Sequence, residues 1–571
     1  MKQYKRLLLL LCTCATLASC SDILDTKSDM VEFVEDNTLS TPEDSLYSVM
    51  GIIRQMQTIA DRTVLLGEVR ADLMTPTSKA TTAIKNMAQH DFSQENEYNK
   101  VSDYYAVINN CNYFLAKVDT TLQRLGKRVF EKEYAAVKTY RAWTYLQLAK
   151  VYGEVPLVTE PVLSETQAEQ EMRKGRSDMQ AICNYFIDDI KPYVDTELPQ
   201  YGGMGNFASS TFFFIPVRVL LGELCLWAGR YQEAAMYLSQ YITMKNAPVP
   251  TMAMAARWSV NNNLEFSTGS INGTAMTLGI KAGYVENICL IPMETTEFSG
   301  VKSMLSNVFN STVNNEYYSQ TTPSQAIRSI SAAQNYVLEN QVSGTEKDTV
   351  YAPKTQLPDT LMRGDTRLYS SFDMKHYNRD EMDRYSPEVQ TIEKLPGSFV
   401  CIYRVQQVYL LFAEALNRAG YPETAFCILK YGLRDQNIQR YVDSREIAKA
   451  GSLIYFDDNV FTEDNTLGIH GRGCGDVRCD KQFRLPEPSE QLPTYDDTVL
   501  YRIPLVEDMI ITEMALETAF EGCRFYDLMR VAKRRNDPSY LALPISKRDG
   551  EKDERVYQRL MDTKNWYLPL D

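Results

Sequence analysis

Two widely separated stretches of this chain close one helix and open the next with the same punctuation, and this repeated grammar is the tightest constraint on its fold. ELCLWAG (Glu223 to Gly229) and EALNRAG (Glu414 to Gly420) both read E-x4-A-G, with an alanine five positions after each glycine, at Ala234 and Ala425. Around the second, Val405, Val408, Phe412, Ala415 and Ala419 recur at spacings of three and four, which places them on one face of a helix. Gly420 and Pro422 end that helix, and Ala425, Ile428 and Leu429 supply the inner face of another. A tight helix hairpin is therefore predicted. Between Glu133 and Gly153, Ala135, Ala142 and Ala149 repeat every seven positions, which lets a neighbouring helix approach closely.

Hairpins of this kind bury one face only against the next, as tetratricopeptide repeats do. No clean 34-residue period runs through the chain, and the hairpins are drawn at about 43–118, 131–195, 211–246 and 402–435. Between the third and fourth, residues 247–400 are rich in Asn, Ser, Thr, Gly and Tyr and read as loops with short strands and helices. A second irregular stretch, 440–505, contains GIHGRGCGD (Gly468 to Asp476). No Lys-Ser or Lys-Thr pair follows those glycines and no buried strand precedes them, so a tight structural loop is expected rather than a phosphate cradle. Asp457-Asp458-Asn459 has the composition of a calcium turn, but a solvated turn is the stronger reading.

The first twenty residues, MKQYKRLLLLLCTCATLASC, have the composition of an export signal. Lys2, Lys5 and Arg6 precede the apolar Leu7 to Ala18 run, too short for a bilayer span of about 20 residues. The LASC run ending at Cys20 resembles a bacterial lipobox, in which the cysteine is acylated and becomes the N-terminus. More than one acyl chain, at about 0.8 kcal/mol per buried methylene, makes such an anchor stable. The organisation expected is a signal peptide (1–19), a tether and N-terminal segment (20–42), three repeat hairpins (43–246), an irregular ligand-binding region (247–400), a fourth hairpin (401–435), and C-terminal loops and helices (436–571). The fold class is mainly α, a tetratricopeptide-like helical-repeat scaffold with a large loop-rich insertion carrying short strands.

Charge excludes one class of partner. Loss of residues 1–19, with three cationic and no acidic side chains, takes the formal charge from −14 to −17, and such a surface lacks the basic footprint of a nucleic-acid or polyanion binder. With 44% hydrophobic residues the chain supports a large core, and nothing after Leu17 is read as apolar for long enough to be a transmembrane helix. Cys12, Cys14 and Cys20 aside, nine cysteines remain; Cys183, Cys225 and Cys427 read as core residues, and a Cys474–Cys479 disulfide is left open. His90, His376 and His470 are the only histidines and none is paired in sequence, so no zinc site or other cofactor is expected.

Several strings together resemble the SusD/RagB family of Bacteroidetes outer-membrane nutrient-binding lipoproteins. CSDILDTK (Cys20 to Lys27) is similar to the family's mature N-terminus, and Leu66-Gly67-Glu68 to Asp72 to its early acidic helix end. YRAWTYLQLAKVYGEVPLVTEPV (Tyr140 to Val162) resembles its most specific element, Gly364-Asp365-Thr366-Arg367 its G-D-x-R segment, and Arg404 to Gly420 its fourth repeat. EMALETAFEGCRFYDLMR (Glu513 to Arg530) resembles the C-terminal signature. Gln407 replaces a common glutamate, and Tyr431 an asparagine ahead of Arg434. The resemblance implies a lipid-anchored protein of the outer-membrane surface that binds an oligosaccharide, or in some members a peptide, and caps a SusC-like TonB-dependent barrel. It implies no catalysis and no cofactor, and a variable ligand site bordering the loops at about 74–98.

A sugar binder needs an exposed aromatic plane beside amides and carboxylates. Of four tryptophans, Trp143 and Trp227 fall in repeat helices and Trp566 in the tail. Trp258, followed by Asn261, Asn262 and Asn263, has the composition of a stacking site, and Tyr284 is a second candidate. A glycoside hydrolase remains the alternative from another class. Glu513, Glu517 and Glu521 stand four residues apart with Arg524 three further on, a row expected along one helix with Arg524 pairing Glu521. Such a row makes an ion-pair network, whereas glycosidase carboxylates oppose each other across a substrate.

Overall fold

Each scaffold helix packs on the next along the chain: α1 (Pro42–Glu68), α2 (Val101–Lys117), α3 (Glu131–Tyr152), α4 (Met179–Ile190), α5 (Val217–Trp227) and α6 (Tyr231–Met244). The stack then continues without a gap, because α7 (Val405–Arg418) packs directly on α6 and is followed by α8 (Pro422–Lys430), α9 (Tyr495–Glu517) and α10 (Arg524–Arg535). The long insertion thus leaves a helical stack that closes behind it. The computed structural model describes residues 41–93, 95–205, 207, 209–245, 258–260, 266–268, 286–296, 298–313, 316–343, 346–351, 364–369, 391–395 and 397–570.

Local chemistry accounts for the helix ends. Asp178 accepts the Ala181 amide at 2.8 Å to start α4, and Thr494 and Asp497 exchange a reciprocal capping pair at the start of α9. The two E-x4-A-G signatures end α5 and α7 at glycines of positive φ, Gly229 at 74° and Gly420 at 91°, a conformation costly for any residue with a Cβ. Ala234 and Ala425, five residues on, are fully buried where the second helix of each hairpin packs against the first.

Helix α3 is the centre of the scaffold. Every residue from Thr139 to Tyr152 is buried, so the helix has no polar face and no amphipathic period. Its charged side chains are held by partners: Arg141 lies 3.0 Å from Asp189, and Lys150 lies 2.5 Å from Glu223. Tyr145 donates its hydroxyl to the Val158 carbonyl at 2.9 Å and accepts the Val158 amide at 2.7 Å, which fastens the segment after α3 onto the helix. Trp143 is buried in this core, and so is Trp566, whose indole donates to Leu560 at 2.7 Å.

Short antiparallel pairs run through the insertion, and one of them joins it to the segment after α1. Strand β1 (Met74–Pro76), just after α1, pairs with β5 (Thr321–Pro323), while β2 (Trp258–Val260) pairs with β3 (Phe266–Thr268). Strand β4 (Asn287–Pro292) pairs with β6 (Phe399–Arg404), which runs straight into α7. One expectation is corrected here. Ser210–Trp227 is apolar enough to span a membrane, with a mean hydropathy of 1.5, yet 78% of it is buried in the protein. It is a short 3-10 turn, Ser210–Phe213, separated by Pro216 from α5, so its apolarity belongs to the core.

Candidate functional site

The acidic row of the C-terminal signature is consumed by cations from four other segments. Glu513 meets His470 Nδ1 and lies 2.9 Å from Arg367; Glu517 lies 2.7 Å from Arg404, 3.1 Å from Arg367 and 3.2 Å from Arg472. Arg367 is also gripped by Asp365 at 2.6 Å and Arg472 by Glu286 at 3.0 Å, so the G-D-T-R segment and the start of β4 enter the same cluster. Burial alone would raise the Glu517 carboxyl, but Arg472, Arg404 and Arg367 outweigh it and hold it well below the usual range. A carboxylate so held is neither a proton donor at neutral pH nor open to a substrate.

Two sequence expectations about this row fail. Helix α9 ends at Glu517, so Glu521 leaves the helix face and pairs with Arg404 at 2.7 Å and Lys394 at 2.5 Å. Arg524 pairs with Asp72 rather than with Glu521. The glycine run at 468–476 is a structural loop: a Cβ on Gly473 would fall 2.0 Å from Asp365 Oδ1, so only glycine lets the loop close over that carboxylate. Cys474 and Cys479 are free thiols, the first donating to Asp365 at 3.2 Å and the second to the Asp476 carbonyl at 2.9 Å. Asp457 caps its own turn through the Asn459 amide at 2.9 Å, and no cluster of metal-ligating side chains occurs among the described residues.

Of the expected ligand residues, Trp258 starts β2, opposite Thr268, in a hairpin beside strand Val337–Ser343. Asn261, Asn262, Asn263, Tyr284 and Cys20, the residue expected to be acylated, lie outside the described residues. The 74–98 segment is described except at residue 94, and its residues 77–81 form a polar shelf against the insertion. Thr77 donates its amide to Gln320 at 2.9 Å and its hydroxyl to Ser319 at 2.7 Å, and the Thr81 amide donates to the Gln320 side chain at 3.0 Å. The Lys79 ammonium lies 5.0 Å from the centre of the half-exposed Tyr318 ring. Sequence reasoning missed Tyr318 and Gln320, and reached Lys79 only as part of the 74–98 loops. The signal available in sequence was the Tyr-Tyr pair at 317–318, but the pairing of Tyr318 with the 74–98 segment is a tertiary fact.

No model of a known protein family matches the chain. Along its sequence it is similar to SusD-like protein P38 of Formosa agariphila, 21% identical over 557 residues that cover 93% of each chain. In fold it is similar to a SusD superfamily protein of Bacteroides thetaiotaomicron, with a TM-score of 0.55 and 16% identity over 93% of this chain and 95% of that one. A SusD-like carbohydrate-binding protein of Bacteroides fragilis superposes with a TM-score of 0.50 and 12% identity over 86% of each chain.

Proposed function

We propose, from the fold this chain shares with SusD superfamily structures, that it is a cell-surface lipoprotein of that family that binds an oligomeric nutrient, an oligosaccharide or polysaccharide, and delivers it to a SusC-like TonB-dependent barrel. The observation that carries the reading is the whole-length correspondence, 93% of the chain, with the SusD-like relative and with the SusD superfamily structure. In this reading Cys20 carries the acyl anchor. The glycan contacts the shelf of Lys79, Tyr318 and Gln320, where an aromatic ring beside amides suits the C–H face and hydroxyls of a sugar, and Trp258 serves as a further stacking residue.

No bond of the ligand is made or broken. The buried, arginine-bound carboxylates of the C-terminal signature support binding over hydrolysis, because an inverting or retaining glycosidase needs two accessible carboxyls facing one substrate. The test is retention on immobilised glycans against oligopeptides, with reducing ends measured in parallel. Glycan retention without new reducing ends supports the reading. Peptide retention alone moves the ligand to the peptide class, and hydrolysis lost with one carboxylate overturns it.

A further inference from the structure

A cleft lies where the turn after the short helix Thr82–Ala88 meets the C-terminal segment around residues 559–569. It encloses about 420 Å3 and is lined by His90, Phe92, Arg559, Lys564, Tyr567 and Pro569 among others. Lys564, Tyr567 and Leu568 also line a neighbouring cleft of about 670 Å3. Neither cleft includes the shelf residues Lys79, Tyr318 or Gln320. Both volumes fall in the range of small-ligand sites, about 300–1,000 Å3.

The buried polar group of the smaller cleft is His90, only 4% exposed. Its Nε2 lies 2.8 Å from the Arg70 carbonyl oxygen, and a carbonyl only accepts, so the proton sits on Nε2 and Nδ1 is left as an acceptor. Burial, and then the nearby Arg70 and Arg548 charges, press the ring's pKa well below its ordinary value and keep it neutral. Nδ1 is buried with no hydrogen-bond partner among the described residues. An unmatched acceptor of this kind is costly unless a donor comes to it.

Cations outnumber carboxylates at the cleft, where Asp91 shares the lining with Arg559 and Lys564, although the chain as a whole is acidic. Arg70 and Arg548 are buried and donate to backbone carbonyls, of Trp566 and, at 3.2 Å, of Ala88; neither has an ion-pair partner among the described residues. Arg559 donates to the Gln89 carbonyl at 2.9 Å and stands 4.0 Å from Asp91, and the exposed Lys564 has no carboxylate partner among the described residues. The aromatic ring is fixed as well: Tyr567 lies over Gly153, and Lys533 donates to its hydroxyl at 3.0 Å.

We propose that this cleft is a second saccharide subsite selective for an acidic sugar, whose hydroxyl donates to His90 Nδ1, whose apolar face lies against Tyr567, and whose carboxylate or sulfate faces Arg559 and Lys564. The proposal rests on the glycan-binding reading above. A short ligand with one acidic group suits the site, since the chain's charge of −14 opposes a long polyanion.

The full mature protein is titrated with a galacturonate trisaccharide, a sulfated galactose trisaccharide and the neutral galactose trisaccharide, alongside Arg559→Ser/Lys564→Ser, Tyr567→Ala and Tyr318→Ala variants. At least one acidic trisaccharide is expected to bind tenfold or more tightly than the neutral one, and whichever does so identifies carboxylate or sulfate as the group recognised. That binding is expected to fall at least tenfold in the double variant and in Tyr567→Ala, with melting temperatures unchanged, and to survive Tyr318→Ala. Equal binding of acidic and neutral sugars, or acidic binding untouched by the double variant, overturns the subsite. If the neutral sugar still binds and is lost in Tyr318→Ala, the general reading stands without it; if no saccharide binds, both fail.

Discussion

Arg524 and Asp72, 452 residues apart in sequence, form a bidentate pair in which the guanidinium Nε and Nη2 lie 2.7 and 2.9 Å from the two carboxylate oxygens. Both side chains are buried, and Arg524 donates a third bond to the Ile511 carbonyl at 3.1 Å. The pair ties the segment just after α1 to the C-terminal signature. Removing one partner leaves the other charge buried, so Arg524→Ala is expected to cost about 3–5 kcal/mol in urea denaturation. A double-mutant cycle is expected to show strong coupling of Arg524 to Asp72 and none to Glu521; the reverse result would restore the helix-face pairing read from the sequence.

Glu68 closes the same junction from the other side. Its Oε1 accepts the amides of Gly522 at 2.9 Å and Cys523 at 3.2 Å, yet burial outweighs these bonds and lifts its carboxyl from 4.5 to about 8. The folded state therefore keeps this proton after the unfolded chain has released it. Stability is expected to fall as pH rises from about 5 to 8, at up to about 1.4 kcal/mol per pH unit from this group. Glu446, lifted to about 7 by burial, acts in the same direction. Glu68→Gln removes the titration, so the variant is expected to gain on the wild type at pH 8 and not at pH 5 in urea melts. Parallel pH profiles of the two proteins would refute this.

Acid exposes the opposite case at Glu414. Burial would raise this carboxyl, but Arg530 and Arg534 outweigh it and hold it at about 2. Its stabilisation is complete above the unfolded value of about 4.5 and is lost as pH falls towards 2. Glu414→Gln is expected to lower the melting temperature at pH 7 and to narrow its gap to the wild type at pH 3.

Trp258 is proposed as a stacking platform. Trp258→Ala is then expected to weaken glycan binding by about 0.5–1.5 kcal/mol beyond lost area with the melt nearly unchanged. A melt lowered by the equivalent of about 3–5 kcal/mol, with affinity intact, would make it a core residue.

The hairpin of α7 and α8 was legible because one face of each helix is apolar at a period of three to four, and because Gly420 marks the turn. Helix α3 shows the limit of that signal: buried on all sides, it carries no period, and only its spaced alanines betray a close-packed neighbour. The reading of Glu521 and Arg524 failed because helical spacing holds only while the helix lasts, and α9 stops at Glu517. Asp72 and Arg472, and Arg367 beyond its near neighbour Asp365, find their partners across more than 40 residues, which no local pattern encodes. The shelf was foreseen only on its 74–98 side, since Tyr318 and Gln320 reach it through the pairing of β1 with β5.

Delivery to a barrel is the central claim, and affinity purification of the acylated protein from outer membranes tests it most directly. The account predicts that wild-type protein brings down a large TonB-dependent barrel in defined stoichiometry, and that Cys20→Ala leaves the membrane fraction. Membrane retention of Cys20→Ala, together with wild-type protein that elutes free of any barrel, would contradict it.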